Sequence, residues 1–340
     1  MDIQSINYEM EKYIQTNEMA GAALIVRRYG DEVYRNKWGY ADIEKKQQVE
    51  YDTIYRLASM TKPITSVAIM QLVEQGKMRL DDSISEYLRG FDKPRVFALE
   101  LMEDGKYKSD SSYPAGLSIA ELLKIMKYIP ARRQVTIRDL LSHSSGMGMG
   151  PLGLEFASKL IDKNDNLERR VNRWSKLPLD FQPGTKTGYS AIVGFDILGR
   201  IVEVVSGLNY QDYLRKKIFE PLGIKDISFQ LTNEQLARRA KLYCSEDGKH
   251  VLVQEGDELW KEINPEIAGY YSGAAGLSGS IEDYDKFTTM LANRGAFNGV
   301  RILNKETVAS IQNRGAKKQL NSSPGSYWGL GMRVFAQPEL

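Results

Sequence analysis

The sequence predicts an α/β (α+β) protein: an antiparallel sheet flanked by helices, with an all-helical lobe inserted in the middle. Three observations point there. Strand-like patterning lies near both ends, in "AALIVRRYGDEVYRNKWGYAD" (22–42) and "YWGLGMRVF" (327–335). The stretch between them is dominated by helical periodicity. At 340 residues the chain exceeds the ~100–200 residues usual for one core, so two lobes are expected. Both termini then build one lobe of a single domain, about residues 1–60 and 265–340, and about 61–264 form the mostly helical lobe.

The elements follow in order. Residues from Ile3 to Gln15 form an amphipathic helix pattern, and two strands flank a turn at Gly30-Asp31. After Ser59 an apolar helical run continues to Gly76, a residue suited to ending a helix. The polar stretch from Phe91 to Tyr113 reads as a surface loop or short hairpin insertion. In "TIRDLLSHSSG", Thr136 and Asp139 stand in capping-box register. Helices are expected at Asn166 to Ser175, Ala191 to Ser206 and Tyr210 to Phe219, and a second strand-rich zone from about Ala268 to the end.

Composition narrows the function. With 46 basic and 44 acidic residues the formal charge is +2, without long runs of one sign. That argues against nucleic acid or an acidic membrane as main partner. No stretch approaches the ~20 apolar residues of a membrane span, and the N-terminus lacks the basic start and apolar run of a secretory signal. A cytoplasmic protein is the expectation. Cys244 is the only cysteine, so no intrachain disulfide forms. Two histidines and one cysteine without H-x-x-x-H or C-x-x-C spacing leave no metal site, and no cofactor is expected.

The chemistry-bearing stretch is "YRLASMTKPITSVAIMQLVEQGK" (55–77), where Ser59 and Lys62 stand three residues apart at a helix start. On a helix these positions touch. A serine hydroxyl is a poor nucleophile until a base takes its proton, and a lysine serves only when burial or nearby positive charge lowers its pKa from ~10.4. Free N–H groups at the helix start can face a developing oxyanion. Taken alone, the pair reads more simply as a helix cap followed by a solvated lysine.

Four further stretches change that balance: "TIRDLLSHSSGM", "FQPGTKTGYSAIVGFDILGRIVEVVSG", "GLNYQDYLRKKIFEPLGIKDISF" and "SGAAGLSGSIEDYDKF". With "IYRLASMTK" they resemble, in order and over nearly the whole chain, the serine β-lactamase/penicillin-binding-protein superfamily. The class C-like branch of β-lactamase-related esterases and D-amino-peptidases is the closer match. The resemblance implies a β-lactamase/transpeptidase-like fold and a serine hydrolase. Its first motif falls on Ser59 as nucleophile and Lys62 as base, and its second on Tyr189, the partner base or proton relay.

Two departures shape the expectation. The asparagine of the family's second motif is replaced by Ala191, which has no amide for a β-lactam side chain. This favours a carboxylesterase on short acyl esters over a β-lactamase or D-amino-acid peptidase. The letters Lys186-Thr187-Gly188 spell a family third motif in the wrong place, and Trp328-Gly329-Leu330-Gly331 is an imperfect W-G-x-G. No segment matching the third-motif strand follows before Leu340, so the resemblance implies that the family's last strands and one oxyanion donor are absent. An open sheet edge there would favour a homo-oligomer.

Other classes of function give competing readings. Gly188-Tyr189-Ser190-Ala191-Ile192 nearly spells a nucleophile elbow, but Ile192 stands where glycine is needed and only His250 follows. His143 precedes it and reads as structural. A binding or assembly protein that keeps the fold without turnover is the non-enzymatic reading. The substrate expected is a small ester or amide, with Tyr271, Tyr327 and Trp328 as candidate acyl-pocket aromatics.

Overall fold

The computed structural model describes residues 3–100, 107–108, 126–148, 151–162, 164–246, 248–254, 269–313, 315 and 325–335. Most of the polar insertion after Leu99 therefore lies outside the described residues, as does the segment before Gly269. The chain divides into two compact units, Met1–Ala58, Arg215–Glu266 and Gly276–Ile302 in one, and Ser59–Leu214, Ile267–Ala275 and Leu303–Leu340 in the other. This grouping differs from the lobes read from the sequence: residues 215–266 join the N-terminal segment, and 303–340 join the helical middle.

The first unit begins with helix Ile3–Gln15 and the antiparallel hairpin Gly21–Arg28/Asp31–Asp42, in register from Gly21↔Gly39 to Arg28↔Asp31. Gln47–Gln48 adds a third, short strand. Ile54–Arg56 pairs antiparallel with Ser278–Ser280. Helix Ile281–Ala292 follows at once, its N-terminus capped by Ser280 Oγ accepting from the Asp283 N–H. Where described, the C-terminal zone carries short strands at Ser278–Ser280, Ala296–Phe297, Val300–Arg301, Ser326–Trp328 and Arg333–Phe335, and also two helices that the sequence reading did not mark, Ile281–Ala292 and Lys305–Gln312. The first forms because in "IEDYDKFTTMLA" buried Asp283, Phe287 and Met290 recur at helical spacing rather than alternating. Arg27 Nε donates to both oxygens of Asp285 at 2.8 Å, tying the first strand to this helix.

The second unit centres on helix Thr61–Glu74, which carries eleven buried residues. Ile64, Val67, Ile69 and Leu72 are wholly enclosed, each contributing about 1.5–3 kcal/mol by burial. A helix buried on nearly every side belongs inside a core, and this one packs against helix Val193–Ser206. The capping box at Thr136 and Asp139 opens helix Ile137–Leu141 as expected. Besides its helices the unit holds a three-stranded antiparallel sheet, Tyr107–Lys108, Arg95–Glu100 and Met126–Pro130. The polar insertion is therefore anchored by strands at its base. No helix among the described residues is long and apolar enough to cross a membrane.

Candidate active site

Ser59 lies in a 3₁₀ turn, Ala58–Met60, that leads directly into helix Thr61–Glu74. Its side chain is exposed. Ala58 has φ 43°, in the left-handed region that disfavours a Cβ. This stores on the order of 1–2 kcal/mol of backbone strain beside the serine. Three residues on, Lys62 is 2% exposed, and its Nζ lies 3.2 Å from Ser59 Oγ. The i, i+3 contact read from the sequence is made.

Tyr189 arrives from a distant part of the chain. It sits in the irregular stretch before helix Val193–Ser206, and its hydroxyl lies 2.6 Å from Ser59 Oγ. The three residues expected to act together thus meet at one oxygen. Tyr189 is held on both sides by His143: the Gly188 N–H donates to the His143 carbonyl (2.9 Å), and the Ser190 N–H to His143 Nδ1 (3.2 Å). The buried imidazole also packs 4.8 Å from the Tyr189 ring, 5.3 Å from Phe195 and 4.3 Å from Trp328.

Lys62 Nζ has two more partners, the carbonyl oxygens of Ala191 (2.7 Å) and Ala274 (3.0 Å). Carbonyls only accept, whereas a hydroxyl can accept or donate. A neutral amine therefore spends its two N–H bonds on the carbonyls and turns its lone pair to Ser59. Burial pulls the Lys62 pKa below the ordinary lysine range, opposed by the Tyr189 hydroxyl and the charge of Asp196. The Tyr189 and Phe195 rings, centred 4.9 and 5.6 Å from Nζ, also favour the ammonium, but burial prevails. The result is a lysine closer to neutrality than one on the surface, beside an exposed hydroxyl.

Ala191 takes part through its backbone, so the lost amide does not disturb the lysine. Ser190 is buried, and its Oγ accepts the Gly194 N–H at 3.0 Å, which makes it a helix-capping group rather than an elbow nucleophile. Lys186-Thr187-Gly188 lies in the connection before Tyr189, where Gly188 serves the His143 bracket. Trp328-Gly329-Leu330-Gly331 leads out of strand Ser326–Trp328 toward its partner Arg333–Phe335. Gly331 (φ 88°) approaches the central helix so closely that a Cβ would lie 1.8 Å from Ser66 Oγ, one turn beyond Lys62. Of the candidate aromatics, Trp328 stacks on Tyr189 at 5.7 Å, Tyr327 donates its hydroxyl to the Gln312 carbonyl, and Tyr271 borders a surface groove with Leu167 and Arg200. Among the described residues no cluster of His, Cys, Asp or Glu is arranged to hold a metal ion.

His143 has a measurable signature. Burial, and secondarily the charge of Lys62, push its pKa down from 6.5 to about 3. The unfolded chain then takes up a proton that the folded one refuses. The corresponding stability is full above pH 6.5 and is lost as pH falls toward 3. Within that window wild type should lose about 1.4 kcal/mol per pH unit more than His143→Asn, whose side chain tolerates the left-handed backbone at φ 54°. Urea unfolding at a series of pH values checks this, and equal slopes for the two proteins would contradict it.

Sequence comparison follows the same lines. The mixed helix–sheet architecture is that of β-lactamases and transpeptidases: a solved structure titled "EstCE1, a hydrolase with promiscuous acyltransferase activity" superposes with TM-score 0.74 at 23% identity, covering 99% of this chain and 84% of that one. The Beta-lactamase family model matches residues 9–340, and the chain belongs to that family. Esterase EstB of Burkholderia gladioli is 28% identical over 344 residues, covering 94% of this chain and 76% of that protein. Mycobacterium tuberculosis protein MT1414 is 27% identical over 299 residues, 85% of this chain but 66% of that protein. The chain thus spans slightly less than two thirds of that relative's length.

Two contributors escaped the sequence reading: Ala274, whose carbonyl holds Lys62, and Asp196, which lies behind it. Ala274 acts through its backbone and left no side-chain signal. Asp196 did leave one, as the lone acid within the apolar run "VGFDILG".

Proposed function

We propose that the protein is a serine hydrolase acting on short acyl esters through an acyl-enzyme on Ser59. The observation that carries this is the convergence of Lys62 Nζ and Tyr189 Oη on an exposed Ser59 Oγ. Membership of the Beta-lactamase family and similarity to an esterase support the same reading.

In this reading Ser59 Oγ attacks the ester carbonyl carbon as its proton passes to the neutral Lys62 amine. The tetrahedral intermediate collapses by breaking the bond to the alcohol oxygen, which takes the Tyr189 hydroxyl proton. Lys62 returns a proton to Tyr189, leaving the acyl-serine with both groups in their starting states. Water then attacks the acyl carbon, giving a proton to the same pair, and Ser59 Oγ leaves with a proton returned. Two groups that both reach the Ser59 oxygen suit such a relay, because each can take or return its proton without moving.

Ester preference follows from Ala191. A β-lactam side chain would lack the amide partner that the family's asparagine offers, a loss of about one hydrogen bond, or tenfold. The kcat/KM for p-nitrophenyl butyrate should therefore exceed that for nitrocefin by about tenfold or more. Comparable values for the two substrates would overturn the ester assignment.

A further inference from the structure

Lys62 is oriented by two backbone carbonyls, and one of them needs external support. Ala274 belongs to the stretch from Tyr270 to Ala275, which forms neither helix nor strand. Its position is set from helix Val193–Ser206. One oxygen of the Asp196 carboxylate accepts from Ser272 Oγ (2.6 Å) and from the Ala274 N–H (3.1 Å), and the other accepts from the Tyr270 hydroxyl. Ser272 Oγ in turn accepts from the Ala274 and Ala275 N–H groups, each at 3.2 Å. The stretch has no slack between the two helices: a Cβ on Gly273 would lie 2.3 Å from the Phe195 carbonyl oxygen. The Gly273 carbonyl accepts from Thr65 Oγ1 at 2.6 Å, on the helix that carries Lys62.

A wholly enclosed carboxylate is costly unless every oxygen is served. Here burial pushes the Asp196 carboxyl up, while Ser272, Tyr270, the charge of Arg170 and the Ala274 N–H pull it back. Arg170 lies against the Tyr270 ring, 3.8 Å from its centroid, and is itself paired with Asp165. An apolar residue would fill an ordinary core position at less cost, so this acid calls for a role that its hydrogen bonds define.

We propose that Asp196 is a positioning residue for Lys62: through Ser272 and the Ala274 N–H it fixes the Ala274 carbonyl, which takes one amine N–H and leaves the lone pair facing Ser59. This rests on the assignment of Lys62 as base. Removing Asp196 has two consequences that act together. The amine loses its fixed acceptor and swings from the in-line position, and a misplacement near 1 Å costs about 10² in rate. The ammonium loses both a stabilising carbonyl and a nearby negative charge, so Lys62 deprotonates at lower pH. Among the described residues, the other titratable groups around Lys62 are Tyr189 and the buried His143, with Arg170 behind Tyr270.

The test is the pH–rate profile of p-nitrophenyl butyrate hydrolysis, expressed per active site titrated with a fluorophosphonate. For Asp196→Ala, kcat per site should fall about 10²-fold with KM changed less than about threefold. The acid limb of the profile should move to lower pH. Asp196→Asn keeps an oxygen for Ser272 and Ala274 and should recover most of kcat, while its acid limb stays low. A merely structural role would reduce the number of titratable sites and leave the per-site profile unchanged, and that result overturns the proposal. If Asp196→Ala does not fold, Ser272→Ala decides, since it removes one support of Ala274 and leaves the carboxylate in place. Its per-site kcat should fall and its acid limb move down, and an unchanged profile overturns the proposal equally. Ser59→Ala in the same series separates the two ideas: if it keeps activity the nucleophile assignment fails, and if it alone is inactive only the role of Asp196 fails.

Discussion

Ser59→Ala should abolish hydrolysis of p-nitrophenyl butyrate, with a loss of about 10⁴-fold or more, while leaving the fold intact. The side chain is exposed, so the thermal midpoint should hardly move. Its oxygen is the point on which Lys62 and Tyr189 converge. Without it both groups face a void with no atom to activate. Ser190, the other serine within a motif-like stretch, should behave in the opposite way. Ser190→Ala removes the acceptor for the Gly194 N–H and should lower stability by about 1 kcal/mol with activity retained. Activity surviving in Ser59→Ala and lost in Ser190→Ala would reverse the assignment.

The second large effect concerns the proton relay. Lys62→Ala and Tyr189→Phe should each lower kcat by about 10² or more, the scale of removing a general base. Because both act on one Ser59 proton, the second loss adds little once the first has occurred. The double variant should be about as slow as the slower single variant, whereas independent roles would multiply to about 10⁴ or more. Tyr189→Phe keeps the ring that packs on His143 and Trp328, so its effect isolates the hydroxyl. Lys62→Ala leaves the Ala191 and Ala274 carbonyls without their donor and should destabilise the protein as well, by about 1–3 kcal/mol. Kinetics per titrated site remove that complication.

The local part of this site was readable from sequence because its geometry is local. Ser59 and Lys62 lie three apart at a helix start, and helical periodicity alone brings them into contact. The Thr136–Asp139 capping box and the first hairpin were readable for the same reason. Tyr189 stands 130 positions from Ser59, so only the ordered motif stretches pointed to it. The Ala274 carbonyl, 212 positions from Lys62, was invisible, since any residue supplies a carbonyl. Asp196 was hidden by a different effect. Its helix is apolar, and an acid there could as well have faced solvent until burial and three donors were seen around it. In the C-terminal zone, helix Ile281–Ala292 went unread because it begins directly after strand Ser278–Ser280, with no loop between them to mark the change.

The most direct measurement is the mass of the intact protein quenched shortly after mixing with p-nitrophenyl butyrate, followed by peptide mapping. The account predicts one butyryl adduct, on the peptide containing Ser59, that decays on further incubation and does not form in Ser59→Ala. An adduct on another residue, or hydrolysis with no covalent species under rapid quench in both the wild type and a slowed Tyr189→Phe variant, would contradict it.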